Sequence, residues 1–365
     1  MLRRSLGILC IAALFFVPSQ SARSQSLNES LSQLSEAAAK QFVQPAFDPF
    51  GVSLNGGWLG KSPKANILSF DLEFGAVAMG TFMGSSTRTF EMSKTYRFSA
   101  EQARTIADEA GVDDPTVKSL IVDAITKRDF PVVLYGPTII GSSDRHIRIV
   151  FSPNGNESLQ INDPRYPFPV NVIVPSKTVE LEDAKGLMDG MGVLPSAAPQ
   201  LKIGTVFGTQ AILRFVPSIK VSDDLGKFNY LGFGLQHNPN VWLNLPLPVD
   251  VSFGFLIQKA KVGDVVDVKG TSYGINVSKT FGTGWLSVTP YVGGLIEKSS
   301  IDVNYDQTIE TVTGTEDVNI AFSLEGINKS RLTAGARFHI GVIDLAVDYN
   351  IGKMNSVTSG FFFSF

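Results

Sequence analysis

The chain has 365 residues, is 44% hydrophobic and only 18% charged, and carries a formal net charge of −3. Soluble domains average roughly 25% charged residues, so a uniformly solvated surface is disfavoured for a chain with 26 phenylalanines and 34 glycines. The mildly acidic balance excludes the basic footprint of a nucleic-acid-binding protein.

Residues 1–24 read as a signal peptide. Arg3 and Arg4 give a basic start, "LGILCIAALFFV" an apolar core, Pro18 a break and "SQSARS" the small residues of a cleavage site. Cleavage is expected after Ser24, and Ser21 serves nearly as well. Cys10 lies inside the apolar run rather than at its end, so lipidation is not expected. It is the only cysteine, so the mature chain has no disulfide, thiolate metal site or cysteine nucleophile. Loss of Arg3, Arg4 and Arg23 leaves 28 basic against 34 acidic residues, a net charge of −6. No later run reaches the ~18 apolar residues of a membrane-spanning helix. Contact with lipid would have to be through strands.

Residues 26–44 predict an amphipathic helix, and 25–48 an N-terminal helical plug. Ser26 and Glu29 form a capping-box pair, Leu27, Leu31, Leu34, Ala38 and Phe42 share a face, and Pro45 and Pro49 end the helix. The first barrel strands are expected over 49–80. Leu68, Phe70, Leu72, Phe74, Ala76 and Ala78 alternate with Ser69, Asp71, Glu73 and Gly75, the period of a half-polar strand. "LGKSPKA" precedes it as a turn, with 50–60 as the strand's partner.

Residues 81–198 predict an α+β insertion. Ser99 and Gln102 make a capping box; Asp114 caps a second helix with Pro115 at its first position and Val117, Leu120, Ile121, Ala124 and Ile125 on one face. The runs "PVVLYG", "HIRIVF" and "VNVIVP" are β-like.

From 199 to 365 the two-residue period dominates. Leu201, Ile203, Phe207, Ala211, Leu213 and Phe215 oppose Lys202, Gly204, Gln210 and Arg214. Val251, Phe253, Phe255 and Ile257 oppose Asp250, Ser252 and Gly254. Leu332, Ala334, Ala336, Phe338 and Ile340 oppose Arg331, Gly335, Arg337 and His339. Leu345, Val347 and Tyr349 oppose Asp344, Asp348 and Asn350. Such runs match the roughly 9–11 residues that cross a bilayer at a tilt, and tight turns alternate with long polar loops. The fold class is an all-β membrane protein: an antiparallel transmembrane barrel of about 10–14 strands with a helical plug and a periplasmic or luminal insertion. A soluble β-sandwich is the alternative. Hairpin parity puts "GKSPKA", "VSDDLGK" and 299–329 on the outside and the insertion on the opposite side or in the lumen. The closing run "SVTSGFFFSF" continues the pattern. Phe361, Phe363 and Phe365 on its apolar face resemble the terminal-aromatic signal read by outer-membrane assembly machinery, and Phe362 is expected inside against the plug.

The stretches "FGVSLNGGWLGKSPKANILSFDLEFGAVAMGTF" and "GLQHNPNVWLNLPLPVDVSFGFLIQK" resemble an uncharacterised family of exported Gram-negative proteins, over roughly 45–365. That resemblance implies an outer-membrane barrel with no assigned activity. A fainter architectural likeness is to the long-chain fatty-acid transporter barrels, which also place a helical plug before the wall.

Chemistry is sparse. His339 beside Arg337 offers a general base, but no serine motif accompanies it, and pairing with Asp344 or Asp348 is the expected role. His237 is expected in a turn with Trp242 at the membrane interface. His146 has no second ligand nearby, so no metal site or cofactor is expected. "GPTIIGSSD" and "GLMDGMG" read as turns, and Asp113–Asp114 and Asp223–Asp224 as a helix start and a loop tip. The predicted lumen residues are Asp71, Glu73, Lys202, Arg214, Asp250, Arg331, Arg337, His339, Asp344 and Asp348. Their signs nearly balance, unlike the one-sign rings of a selective pore, so a narrow or plugged lumen is expected.

The reading is a monomeric outer-membrane barrel of a Gram-negative bacterium, not an enzyme, that passes or binds a small apolar ligand. Its partners are outer-membrane lipid and the assembly machinery. The alternatives are a non-transporting scaffold or surface-binding barrel, and a barrel lipid hydrolase.

Overall fold

The computed structural model describes residues 25–84, 88–111, 113–162, 164, 169–186, 188–222, 226–243, 246–311 and 314–365. The expected signal peptide lies outside them. In chain order the elements are α1 (Gln25–Leu54), β1 (Leu68–Phe82), β2 (Thr89–Tyr96), α2 (Ala100–Glu109), α3 (Pro115–Thr126), β3 (Phe130–Pro137), β4 (His146–Phe151), β5 (Glu157–Ile161), β6 (Val170–Val174) and β7 (Lys177–Lys185). There follow β8 (Val193–Val206), β9 (Thr209–Ser222), β10 (Gly226–His237), α4 (Asn240–Leu243), β11 (Asp250–Val262), β12 (Val266–Ser278), β13 (Phe281–Gly282), β14 (Leu286–Thr311), β15 (Gly314–Glu325), β16 (Ser330–Ile340), β17 (Ile343–Ile351) and β18 (Ser356–Ser364).

Ten of these strands close a barrel. The order is β1-β18-β17-β16-β14-β12-β11-β10-β9-β8 and back to β1, antiparallel throughout. Closure abolishes the unpaired edge that an open sheet would expose. The seam joins the two ends of the wall: Phe74 lies opposite Phe363, and Leu72 and Phe365 exchange backbone hydrogen bonds of 3.0 and 2.9 Å. The ten strands lie at the low end of the expected range.

The period of two sorts the side chains. Phe74, Ile203, Leu213, Phe215, Leu231, Phe233, Phe255, Tyr273, Leu332, Val347 and Phe361 are exposed on the outside, while Lys202, Arg214, Gln236, Ser252, Arg331, Arg337 and Asp348 are buried inside. This is the reverse of a soluble core, and it follows the alternation strand by strand. Among the described residues no helix is long and apolar enough to cross a membrane, which says nothing of crossing by strands.

The wall has two distinct ends. The C-terminus, the turn at 207–208 and the turn at 341–342 lie at one end. At the other lie the end of β9 at Ser222 and the start of β10 at Gly226, the β11–β12 turn, the extension of β14 that pairs with β15, and both junctions of the insertion, after Phe82 and before Val193. We call these the C-terminal end and the module end.

The insertion runs from 83 to 192, somewhat shorter than expected, and is a module of its own. Strands β2-β3-β4-β7 form one sheet and β5-β6 a second. Ser99 and Gln102 form the expected capping box on α2, and Asp114 caps α3 through Thr116 and Val117. Val117, Ile121 and Ile125 of α3 pack with Ala103, Ile106, Phe130, Leu159 and Val172. The β-like runs of 131–175 are thus used inside the module and add nothing to the wall.

Three expectations need correction. Residues 50–60 form no strand: α1 continues through Pro45 and Pro49 to Leu54. Each proline costs a helix roughly 3 kcal/mol, and here Phe42, Phe47, Phe50, Val52 and Leu54 are all buried, which offsets that cost. Secondly, "QLKIGTVFGTQAILRF" is two strands, β8 and β9, folded back at Phe207 and Gly208, where both residues have positive φ. The extra turn shifts the parity of everything before it. The module therefore shares its end with Ser222 and Gly226, which flank the expected loop tip Asp223–Asp224 (itself outside the described residues), and with the β14–β15 extension, instead of lying opposite them, and "GKSPKA" lies at the C-terminal end.

Candidate functional site: the barrel lumen

The chain between α1 and β1 runs along the barrel interior. At the module end, Arg331 Nη2 donates to the Val52 carbonyl at 2.6 Å and Ser53 hydrogen-bonds Thr81 at 2.8 Å. Lower down, Gln258 Nε2 donates to Asn55 Oδ1 at 2.5 Å and Arg214 Nη1 to the Gly56 carbonyl at 2.8 Å. Towards the C-terminal end, Asn276 donates to the Gly60 carbonyl, Ser62 meets Ser278 and Ser252, and Asn238 donates to the Pro63 carbonyl at 2.9 Å. Side chains of β1, β9, β11, β12 and β16 thus hold the end of α1 and the segment that follows it. Its backbone has no sheet ladder of its own, so these side chains satisfy groups that would otherwise be costly to bury.

Trp58 is the centre of the segment. It is fully buried, its Nε1 donates to the Leu54 carbonyl at 3.0 Å, and the Arg214 guanidinium stacks 4.1 Å from its ring. Gly232 makes room: a Cβ there would stand 2.6 Å from the indole. Arg214 is also bound by Gln200 Oε1 at 2.8 Å.

The remaining charges pair around this segment. Arg331 on β16 and Glu297 on β14 form a forked pair, 2.9 Å at its shortest, with both side chains 1% exposed. Arg337 bridges Glu73 at 2.8 Å and Asp344 at 2.9 Å. Lys202 stands directly across from Glu73 on the neighbouring strand. Asp348 accepts from Tyr291 at 3.0 Å and from Asn350 at 2.7 Å. The interior cavity bounded by Gly57, Lys202, Tyr291, Arg337 and Phe362 has about 20 Å³ free, room for one water.

Seven of the ten predicted lumen residues, Glu73, Lys202, Arg214, Arg331, Arg337, Asp344 and Asp348, come together inside. Asp71, Asp250 and His339 sit at the C-terminal mouth instead. Asp71 pairs with Lys64 at 3.3 Å and with Ser69 and Thr205; Asp250 accepts from Asn238. His339 Nδ1 faces Asp344 at 3.1 Å, the expected partner, and its Nε2 meets the Gly284 carbonyl. Phe362 does face inwards, but against Val77 and Met79 and beneath Arg337 and Lys202 rather than against α1. Trp242 is exposed at the C-terminal end and stacks on Phe207 at 5.2 Å.

Glu297 escaped sequence reasoning. It lies in "YVGGLIEKSS", where Tyr291, Leu295 and Glu297 alternate inwards, but two adjacent glycines hide the period. With Glu297 included, the buried cations Lys202, Arg214, Arg331 and Arg337 face the anions Glu73, Glu297, Asp344 and Asp348.

A family model matches residues 3–365. The chain belongs to DUF6588, a family of unknown function. The DUF6588 match reaches further towards the N-terminus than the resemblance read from the sequence, and agrees with it that no activity is assigned. No curated protein matches the chain. Among solved structures the DUF6588 chain is similar to the attachment invasion locus protein Ail of Yersinia pestis, at 13% identity over 43% of this chain and 93% of that one, TM-score 0.20. It is also similar to a bacterial polysaccharide outer membrane secretin, at 8% identity over 82% and 99%, TM-score 0.23. A third is a loop-deletion mutant of OmpT, an outer membrane protein of Vibrio cholerae, at 8% identity over 83% and 100%, TM-score 0.21. Scores this low carry no weight, and the fold rests on the strand pairing itself.

Proposed function

We propose that the protein is a transmembrane barrel of the Gram-negative outer membrane whose lumen is permanently closed, and that it holds the 83–192 module at the cell surface as a binding platform. The hydrogen-bonded passage of Val52–Pro63 through the barrel carries this reading. In it, α1 and the segment after it are the plug.

The outward apolar face supports the membrane placement. Soluble monomers rarely expose apolar patches beyond a few hundred Å², whereas here every wall strand is apolar on the outside. Trp242, Trp285, Phe207 and Phe281 cluster at the C-terminal end, as aromatic side chains do at a membrane interface. Short turns mark the periplasmic side of such barrels. The two-residue turns at 207–208 and 341–342 are at the C-terminal end, whereas the β14–β15 extension and the module rise from the other, so the module end faces outwards. Passage of a small apolar ligand would require the 52–63 segment to leave its hydrogen bonds.

Two measurements test the proposal. The folded protein in planar bilayers is expected to show no steady conductance; a stable ohmic step would overturn the closed lumen. Asn154→Cys in the module is expected to react with a membrane-impermeant maleimide on intact cells, and Thr283→Cys at the C-terminal end to be protected. The opposite labelling pattern would overturn the surface role.

A further inference from the structure

The outer wall is not uniformly apolar. Following the register across five neighbouring strands, Phe253, Ile275, Gly294, Leu332 and Ile351 form one row of outward positions. The middle of the row is a glycine. A groove of about 900 Å³ opens there, bounded by Tyr273, Ile275, Ile296, Leu332 and Ile351 and reaching Lys353. Gly294 is not required by the backbone: its φ is ordinary for any residue, and a Cβ would meet only Leu332 Cδ2 at 3.7 Å. A glycine inside a strand weakens it, so the notch has a cost without a geometric need.

The groove ends at a basic rim. Two residues beyond Ile296 on β14 comes Lys298, beside Ser330 comes Lys329, and beyond Ile351 comes Lys353. Lys298 and Lys329 share a single carboxylate, Glu325, at 3.2 and 2.9 Å. All three of these side chains are more than half exposed. Lys353 forms no ion pair among the described residues. Next to them Lys269 is already matched by Asp302 at 2.9 Å. Lys329 is also within electrostatic reach of the buried Asp48 carboxylate. The rim therefore carries three cations against two anions, a net positive surplus directly above an apolar channel.

We infer that this face binds one phosphate-bearing membrane lipid, with an acyl chain in the notch at Gly294 and the phosphate on Lys298, Lys329 and Lys353. A phosphate group complements this positive surplus. The exposed pairs to Glu325 contribute little on their own, so the lysines are free to turn to a phosphate. The inference rests on the outward face meeting lipid and is independent of the closed lumen and of the module. A failed conductance test would leave it standing.

The test is native mass spectrometry of the full-length mature protein in detergent, titrated with dioleoyl phosphatidic acid, dioleoyl phosphatidylcholine or inorganic phosphate. The protein is expected to retain one phosphatidic acid with about tenfold preference over phosphatidylcholine, and no inorganic phosphate. Gly294→Phe is expected to fill the notch and abolish retention. The pair Lys298→Gln and Lys353→Gln is expected to erase the preference while leaving the folded form unchanged. Equal retention of the two lipids would overturn the inference, as would retention of phosphate alone. Unchanged binding by the lysine variant would do the same, even if Gly294→Phe failed to fold. A dimer that dissociates in Gly294→Phe would show that a second copy of the chain, not lipid, fills the groove.

Discussion

Arg331 and Glu297 meet inside the barrel with both side chains 1% exposed, and the same guanidinium holds the Val52 carbonyl at 2.6 Å. One ion pair thus ties two wall strands to the segment that fills the lumen. Removing one partner of a buried pair typically costs about 3–5 kcal/mol, because the other charge is left unpaired. Glu297→Ala is expected to lower stability by that order. Replacing both residues, as Glu297→Leu with Arg331→Met, is expected to cost clearly less. Urea titration followed by the gel shift between folded and boiled protein would read both. A double variant as damaged as Glu297→Ala would show that the pair matters only through Val52.

Trp58 and Gly232 are mutually dependent. The indole is fully buried and occupies the space where a Cβ on Gly232 would stand, at 2.6 Å. Trp58→Ala is expected to cost about 3–5 kcal/mol as a core truncation. Gly232→Ala in the native chain is expected to cost about 1–3 kcal/mol by overpacking a rigid ring. In the Trp58→Ala background the same Gly232→Ala change is expected to be neutral or stabilising. A double-mutant cycle measures that coupling directly; additive losses would place the indole elsewhere.

The faces of the wall were legible because a strand's side-chain period is two and inside and outside differ sharply in polarity. Arg214, Arg331 and Asp348 on one side, and Phe255, Leu332 and Val347 on the other, follow from that alone. What was not legible depended on contacts distant in sequence. Pro45 and Pro49 look like helix ends until the burial of Phe47, Phe50 and Leu54 in the barrel is known. The turn at Phe207–Gly208 keeps the inward parity across it, so Lys202 and Arg214 alternate in step and two strands read as one. Glu297 was hidden by Gly293 and Gly294 beside it. The missed turn at Phe207–Gly208 is what misplaced the module end.

Asp48 links pH to the docking of α1. It is 8% exposed and accepts from Gln44 at 2.5 Å. Burial raises its pKa from the ordinary 3.8 to about 6, against the opposing pull of Gln44, the Ile327 backbone and Lys329. The folded state therefore holds the proton more tightly than the unfolded chain. The stability this gives is fully present below pH 3.8 and is lost as pH rises through about 6. Between pH 4 and pH 7.5 the contribution is expected to fall by about 2–3 kcal/mol. Asp48→Asn is expected to flatten that slope. Thermal midpoints of the native protein and the variant at the two pH values would show it, and an equal slope in both would assign the pH dependence to other groups.

The last residue of the chain tests whether the closing strand is read by the cell or merely fits. Phe365 is 62% exposed, stacks on Phe74 with ring centroids 6.1 Å apart, and zips its backbone to Leu72. Phe363 lies 5.3 Å from Phe74, and Phe361 packs edge-on against Phe363. A single exposed ring pair is worth only about 0.5–1.5 kcal/mol. Phe365→Ala keeps the backbone hydrogen bonds, so refolding in detergent is expected to lose no more than that. Assembly in cells is expected to fall much further if Phe361, Phe363 and Phe365 are a recognition signal, with protein accumulating unfolded in the periplasm. Folded yield in outer-membrane fractions, set against refolding yield from urea, separates the two effects. Parallel losses in both would reduce the terminal phenylalanines to packing at the seam.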